Sequence, residues 1–142
     1  MECIDTQDSI KHAIKIIPKK NTSKFLFEEE VFILQKVSGI DGFPKFIDWG
    51  NTFFDGEPSF FIVQEMLSES LWESTKHEFL SLENTIKMGL SVLSNLEKFH
   101  DLGYVHGDIK PNNIMVNQLQ FYLIDFGRAF KYQNSNDELV PN

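Results

Sequence analysis

The stretch that decides the fold is His106-Gly107-Asp108-Ile109-Lys110-Pro111-Asn112-Asn113, with Asp125-Phe126-Gly127 shortly after it. Taken singly, an Asp or Asn in a turn usually caps a backbone group, and a lone His is an ordinary buried or surface residue. An acid, a cation and an amide within eight residues, followed by a second acid, form a constellation that such local roles do not explain. Between the motifs run NIMV (Asn113–Val116) and QFYLI (Gln120–Ile124), short apolar stretches bordered by polar residues that read as a hairpin. Upstream, Ile86, Leu90, Leu93 and Leu96 mark the apolar side of a long amphipathic helix from Leu82 to Asp101, closed by Gly103.

Nearer the N-terminus the pattern changes. KHAIKIIP (Lys11–Pro18) is a β-type run ended by a proline that cannot continue a ladder. Thr22 and Ser23 offer N-cap hydroxyls to the run Phe25–Val37, where Phe27, Val31 and Leu34 form an apolar helical stripe; Gly39 and Gly42 end that helix. KFIDWG (Lys45–Gly50) and SFFIVQEM (Ser59–Met66) read as strands separated by a turn-rich NTFFDGEP segment. The tail from Gln133 to Asn142 is polar and reads as loose. Strand, helix, two strands, helices and a hairpin make an α+β order whose character shifts after Leu67.

Composition narrows the function. The 142 residues carry 13 basic and 21 acidic side chains, a net charge of −8, which argues against a broad nucleic-acid footprint built from clustered Lys and Arg. Cys3, the single cysteine, cannot form an internal disulfide, and no apolar run approaches the roughly 18 residues of a membrane span. No signal-peptide core interrupts the charged first thirty residues, so the expected setting is intracellular, cytoplasmic or nuclear, without membrane attachment. At 42% hydrophobic, with fourteen phenylalanines, the chain can bury a real core.

The octapeptide and Asp125-Phe126-Gly127 resemble the catalytic and metal loops of the eukaryotic protein kinases, which read HRDxKxxN and DFG. The resemblance implies that Asp108 orients and deprotonates a substrate hydroxyl and that Lys110 neutralises the transferring phosphate. It implies that Asn113 and Asp125 hold Mg2+, and that Gly127 makes the turn that aims Asp125. Lys110 followed by Pro111 is similar to the serine/threonine branch. Upstream, His12-Ala13-Ile14-Lys15 resembles the VAIK strand, whose lysine meets the α- and β-phosphates of ATP and pairs with a helix glutamate. Of Glu28, Glu29 and Glu30, only Glu30 shares the core-facing stripe of Phe27 and Leu34, where a carboxylate needs a cation, and Lys15 is the natural partner.

Within the kinases the chain resembles the casein kinase 1 and vaccinia-related kinase group, through Gly39-Ile40-Asp41-Gly42-Phe43-Pro44, Gln64-Glu65-Met66-Leu67-Ser68-Glu69-Ser70-Leu71 and Ile124-Asp125-Phe126-Gly127-Arg128-Ala129. By that resemblance Gln64 is the gatekeeper, Glu65 to Leu67 offer hinge backbone to adenine, and Ala13 and Met115 sandwich the ring. The implied fold is a two-lobed α+β kinase domain, with residues 1–67 as small lobe and hinge and 68–142 as the start of the large lobe. The implied partners are ATP, Mg2+ and a protein substrate bearing Ser or Thr.

Three departures qualify the pattern. Lys15 has fourteen residues ahead of it and no glycine occurs before Gly39, so the small lobe is expected to lack its first strand and glycine-rich loop. The chain ends fifteen residues after Gly127, so the large lobe is expected to stop after the DFG segment and to leave apolar surface for a partner chain. Gly107 replaces the arginine of HRD, which suggests no phosphorylated-loop switch. Two other readings stay open. One is a small-molecule kinase of the aminoglycoside or choline kinase type, whose loop opens with HGD; the other is a catalytically weak or inactive fragment acting as a docking or decoy module.

Overall fold

A computed structural model describes residues 2–4, 10–76, 79–117 and 120–132. The polar tail expected to be loose therefore lies outside the described residues. Chain contacts divide the protein into two compact units, Met1–Gly39 with Pro44–Leu67, and Ile40–Phe43 with Ser68–Asn142.

The first unit is an antiparallel sheet in the order β1-β2-β4-β3, built from β1 (Glu2–Ile4), β2 (Lys11–Pro18), β3 (Phe46–Phe54) and β4 (Glu57–Glu65), with helix α1 (Lys24–Val37) between β2 and β3. Ser23 caps α1, its Oγ accepting the Leu26 N–H at 3.2 Å, and Gly39 leaves the helix in the left-handed region at φ 88°. Phe27, Val31, Ile33, Leu34 and Val37 are buried, and Phe27 stacks on Phe60 of β4 with centroids 4.2 Å apart. Each such side chain contributes about 1.5–3 kcal/mol on burial.

The long turn expected between the two strands is much shorter. β3 and β4 pair out to Phe54 and Glu57, leaving only Asp55 and Gly56, at φ 49° and 75°, to make the turn. Two successive positive φ values are what a type I′ hairpin requires, and Asp-Gly supplies them. Phe53 and Phe54 extend the ladder while exposed, so the pairing there rests on backbone bonds that no burial pattern announces.

The second unit holds β5 (Glu69–Ser70), α2 (Leu71–Ser74), α3 (Leu82–Asp101), β6 (Tyr104–Val105), β7 (Ile114–Asn117), β8 (Gln120–Leu123) and β9 (Phe130–Lys131). They form a β5-β7-β8 sheet and a β6-β9 pair. Phe43, Phe99, Leu123 and Phe126 are its buried centre. Gly42 belongs here and does not end α1: its carbonyl accepts the Leu123 N–H at 2.9 Å.

The face α3 buries also differs from the expected stripe. Ile86, Leu90 and Leu93 are 54%, 63% and 64% exposed, whereas Val92, Asn95 and Phe99 are buried. Asn95 settles the orientation, because its amide donates to the Phe121 carbonyl of β8 at 2.8 Å, a buried polar tie invisible to hydrophobic periodicity.

Gly42 and Gly56 provide a paired test. Both have positive φ, but a Cβ at 42 would sit 2.0 Å from the Asn95 Oδ1, while one at 56 meets nothing within 4 Å. Gly56→Ala should cost about 1–2 kcal/mol for backbone conformation alone. Gly42→Ala should cost about 1–3 kcal/mol more, measured by urea unfolding, because Asn95 must move and its bond to β8 with it.

Candidate active site

The site of the second unit grows from its aromatic core. Phe99 packs against Tyr104, Phe126 and His106 with centroids 6.0, 5.3 and 6.2 Å away, and His106 lies 5.2 Å from Phe126. His106, only 1% exposed, contacts the Ile124 carbonyl through Nε2 at 3.1 Å and accepts the Asp108 N–H on Nδ1 at 3.3 Å. Accepting at Nδ1 requires a neutral ring with its proton on Nε2, donated to Ile124. Burial lowers the imidazole pKa from its usual value, opposed by the Ile124 carbonyl and the nearby charges of Asp125 and Asp108.

Asp108 follows on the loop fixed by this ring. Its Oδ2 accepts from Lys110 Nζ at 2.6 Å and from Asn113 Nδ2 at 2.8 Å, and Asn113 Nδ2 also reaches the Asp108 carbonyl at 2.9 Å. Arg128 Nη1 stands 3.7 Å from the other oxygen, Oδ1. The Lys110 hydrogen bond is the largest influence and, with the bond from Asn113 and the charges of Lys110 and Arg128, holds the carboxyl below its ordinary pKa against the opposing effect of desolvation. Pro111 opens a single 3-10 turn, Pro111–Asn113, closed by the Asn113 N–H on the Lys110 carbonyl at 2.9 Å.

The Ile124 N–H donates to the Asn113 carbonyl at 3.1 Å, so the chain enters Asp125 directly beside the asparagine. Asp125 sits at φ 66°; with Asp55 of the hairpin turn it is one of two non-glycine residues in the left-handed region among the described residues. Gly127, expected to make that turn, is not among the left-handed glycines, so the aspartate itself carries the unusual backbone, at a cost of about 1–3 kcal/mol.

In the first unit Lys15 of β2 meets Glu30 of α1 at 2.7 Å, with Glu30 buried and Lys15 half-buried. Strand alternation puts Ala13 and Lys15 on one face, and the register sets Ala13 opposite Gln64 and His12 opposite Glu65. The Glu65 N–H is committed to the Lys45 carbonyl at 2.8 Å. Leu67 is buried just beyond β4, and Met115 lies on β7 opposite Ser70 and Tyr122. Arg128 was given no role by sequence reasoning; its position after Gly127 quotes a motif without specifying a contact.

The donor set suits magnesium. Asn113 turns its amide nitrogen to Asp108, so its Oδ1 is the atom left to meet a cation, and Asp125 adds a carboxylate. No group of three or more His, Cys, Asp or Glu among the described residues is arranged for a metal ion. Mg2+ does not demand one, since it binds through one or two protein oxygens with water and phosphate oxygens completing the shell.

The protein kinase domain family matches residues 1–141, and the chain belongs to that family. It is 32% identical to a probable serine/threonine-protein kinase of Dictyostelium discoideum over 91% of this chain and 27% of that protein. A putative casein kinase I of Caenorhabditis elegans is 29% identical over 97% of this chain and 42% of its own length. The serine/threonine-protein kinase VRK2 of Homo sapiens is 35% identical over 64% of this chain and 19% of its own. The chain thus spans less than half the length of these relatives. The family generally uses ATP and Mg2+. No helix among the described residues is long and apolar enough to cross a membrane.

The buried neutral His106 predicts a pH effect with a definite sign. Its folded pKa lies below the ordinary value near 6.5, so in the interval between them the unfolded chain binds a proton that the folded chain refuses. The stability it contributes is complete above that value and is lost progressively as pH falls from it toward and through the lower folded pKa. Urea midpoints measured from pH 7 to 5.5 should decline, and His106→Gln should flatten the decline; equal slopes would refute the assignment.

Proposed function

We propose that the protein is a serine/threonine protein kinase that transfers the γ-phosphoryl group of MgATP to Ser or Thr hydroxyls of proteins. The observation that carries this reading is the Asp108 carboxylate, held on Oδ2 by Lys110 and Asn113 with Oδ1 left to accept a hydroxyl proton. Its lowered pKa keeps it ionised and ready as a hydrogen-bond acceptor. Family membership supports the reaction class, and the serine/threonine names of the relatives support the acceptor.

Phosphoryl transfer asks the protein mainly for positioning and charge neutralisation. In this reading Asp108 orients the incoming hydroxyl and takes its proton, and Lys110 neutralises the γ-phosphoryl oxygens. Lys15, fixed by Glu30, binds the α- and β-phosphates. Gln64 is the gatekeeper, Glu65 and Leu67 offer backbone to adenine, and Ala13 and Met115 contact its ring. Asn113 and Asp125 would hold Mg2+, which when bound neutralises phosphate charge. A docking role is the second reading, favoured by the exposed Ile86, Leu90 and Leu93 side of α3.

Two measurements on the full chain test the proposal. Phosphotransfer to serine-rich protein substrates should fall about 10²–10⁴-fold in Asp108→Asn, the range expected for a positioned base. Calorimetry should show ATP binding strengthened by magnesium, with the magnesium increment lost in Asp125→Asn. A folded chain that binds no nucleotide would transfer the case to the docking reading.

A further inference from the structure

The catalytic loop and the segment after Asp125-Phe126-Gly127 are joined more closely than the site chemistry requires. β9 pairs with β6, setting Phe130 opposite Val105 and Lys131 opposite Tyr104. The Tyr132 N–H continues the connection to the Gly103 carbonyl at 2.9 Å, and its hydroxyl reaches the His100 carbonyl at 3.0 Å. The Ala129 N–H closes a turn on the Phe126 carbonyl at 2.9 Å, which places Arg128 at the apex facing the loop.

Gly107 is where the two segments touch. It lies at φ 75°, and a Cβ built there would stand 2.5 Å from the Arg128 carbonyl oxygen, a backbone atom that cannot swing aside as a side chain could. The missing side chain at 107 is therefore what lets the 126–129 turn close, and closing it delivers the Arg128 guanidinium to Asp108. Oδ2 is already bound by Lys110 and Asn113; Oδ1 faces Arg128 at 3.7 Å. That separation lies within ion-pair range and outside hydrogen-bond distance. The guanidinium thus attracts the carboxylate without filling the lone pairs that an arriving hydroxyl needs.

We propose that Arg128 is a positioning residue for Asp108, and that Gly107 acts through it by admitting the Arg128 backbone. This rests on the reading of Asp108 as the group that meets the substrate hydroxyl. Arg128 restrains rotation of the carboxylate so that Oδ1 stays directed outward between substrates. Its own side chain is 75% exposed, so the restraint is electrostatic and weakens as salt rises.

The test uses the carboxyl carbon resonance of Asp108 in the full chain at neutral pH, assigned by its disappearance in Asp108→Asn. Arg128→Ala and Gly107→Ala should move it in the same direction, and the double variant should move it no further than either alone. Arg128→Lys should restore part of the shift. In phosphotransfer, Arg128→Ala should lower kcat by about tenfold with KM held, modest beside the ~10²-fold loss from ångström misplacement. An unmoved resonance in Arg128→Ala, additive shifts in the double variant, or a raised KM with kcat held would overturn the proposal. If Gly107→Ala does not fold, Arg128→Ala and Arg128→Lys decide it by the same resonance. Undiminished transfer in Asp108→Asn would instead sink the kinase reading, while the resonance still decides whether Arg128 positions the carboxylate.

Discussion

The His106 ring is the point on which the second unit depends. One nitrogen bonds the carbonyl before Asp125, the other receives the N–H of Asp108, and its faces lie among Phe99 and Phe126. The ring can accept from Asp108 only while neutral, and the aromatic surroundings enforce neutrality by denying the imidazolium its hydration. Two loops far apart in sequence are thereby given a fixed relation by packing and protonation together. A purely apolar residue at 106 could fill the space but would leave the Asp108 N–H and the Ile124 carbonyl without this partner.

Beside this ring Asp125 and Gly107 both lie in the left-handed region. Asp125 holds a left-handed conformation that glycine would adopt more cheaply, and Gly107 uses the same region to let another backbone approach. Such departures from local preference persist where neighbouring structure overdetermines them. Here the restraints are the Ile124 bonds to Asn113 and His106 on one side and the β6-β9 ladder on the other.

Much of this was legible in the sequence wherever one residue type answers one physical need. The apolar stripe of α1 left a single glutamate on the buried side, and it is Glu30 that lies against Lys15. The bounds of α3 expected from its apolar spacing and Gly103, Leu82 to Asp101, are the observed ones. What could not be read depended on tertiary choice. The leucine side of α3 is the stronger hydrophobic pattern, yet the helix buries the side where one amide of Asn95 finds a carbonyl of β8. The β3-β4 hairpin runs four residues further along β3 and two along β4 than the turn-rich segment Asn51–Pro58 suggested, with Asp55-Gly56 making the turn. Arg128 left no trace in spacing at all: its contact with Asp108 exists only once the chain has turned back on itself.

The charge arrangement around Asp108 follows from the same economy of contacts. In the proposed kinase reading the carboxylate would have to stay ionised yet keep an oxygen open, demands that conflict when cations bind it directly. The contacts of Asp108 divide by oxygen. Short bonds from Lys110 and Asn113 converge on Oδ2, and the more distant, solvated Arg128 acts on Oδ1 through space. Asn113 completes the division, because the amide hydrogens that brace Asp108 leave its own oxygen for a cation. One asparagine thus links the group that would receive a proton to the group that would hold a metal, and the orientation of either fixes the other.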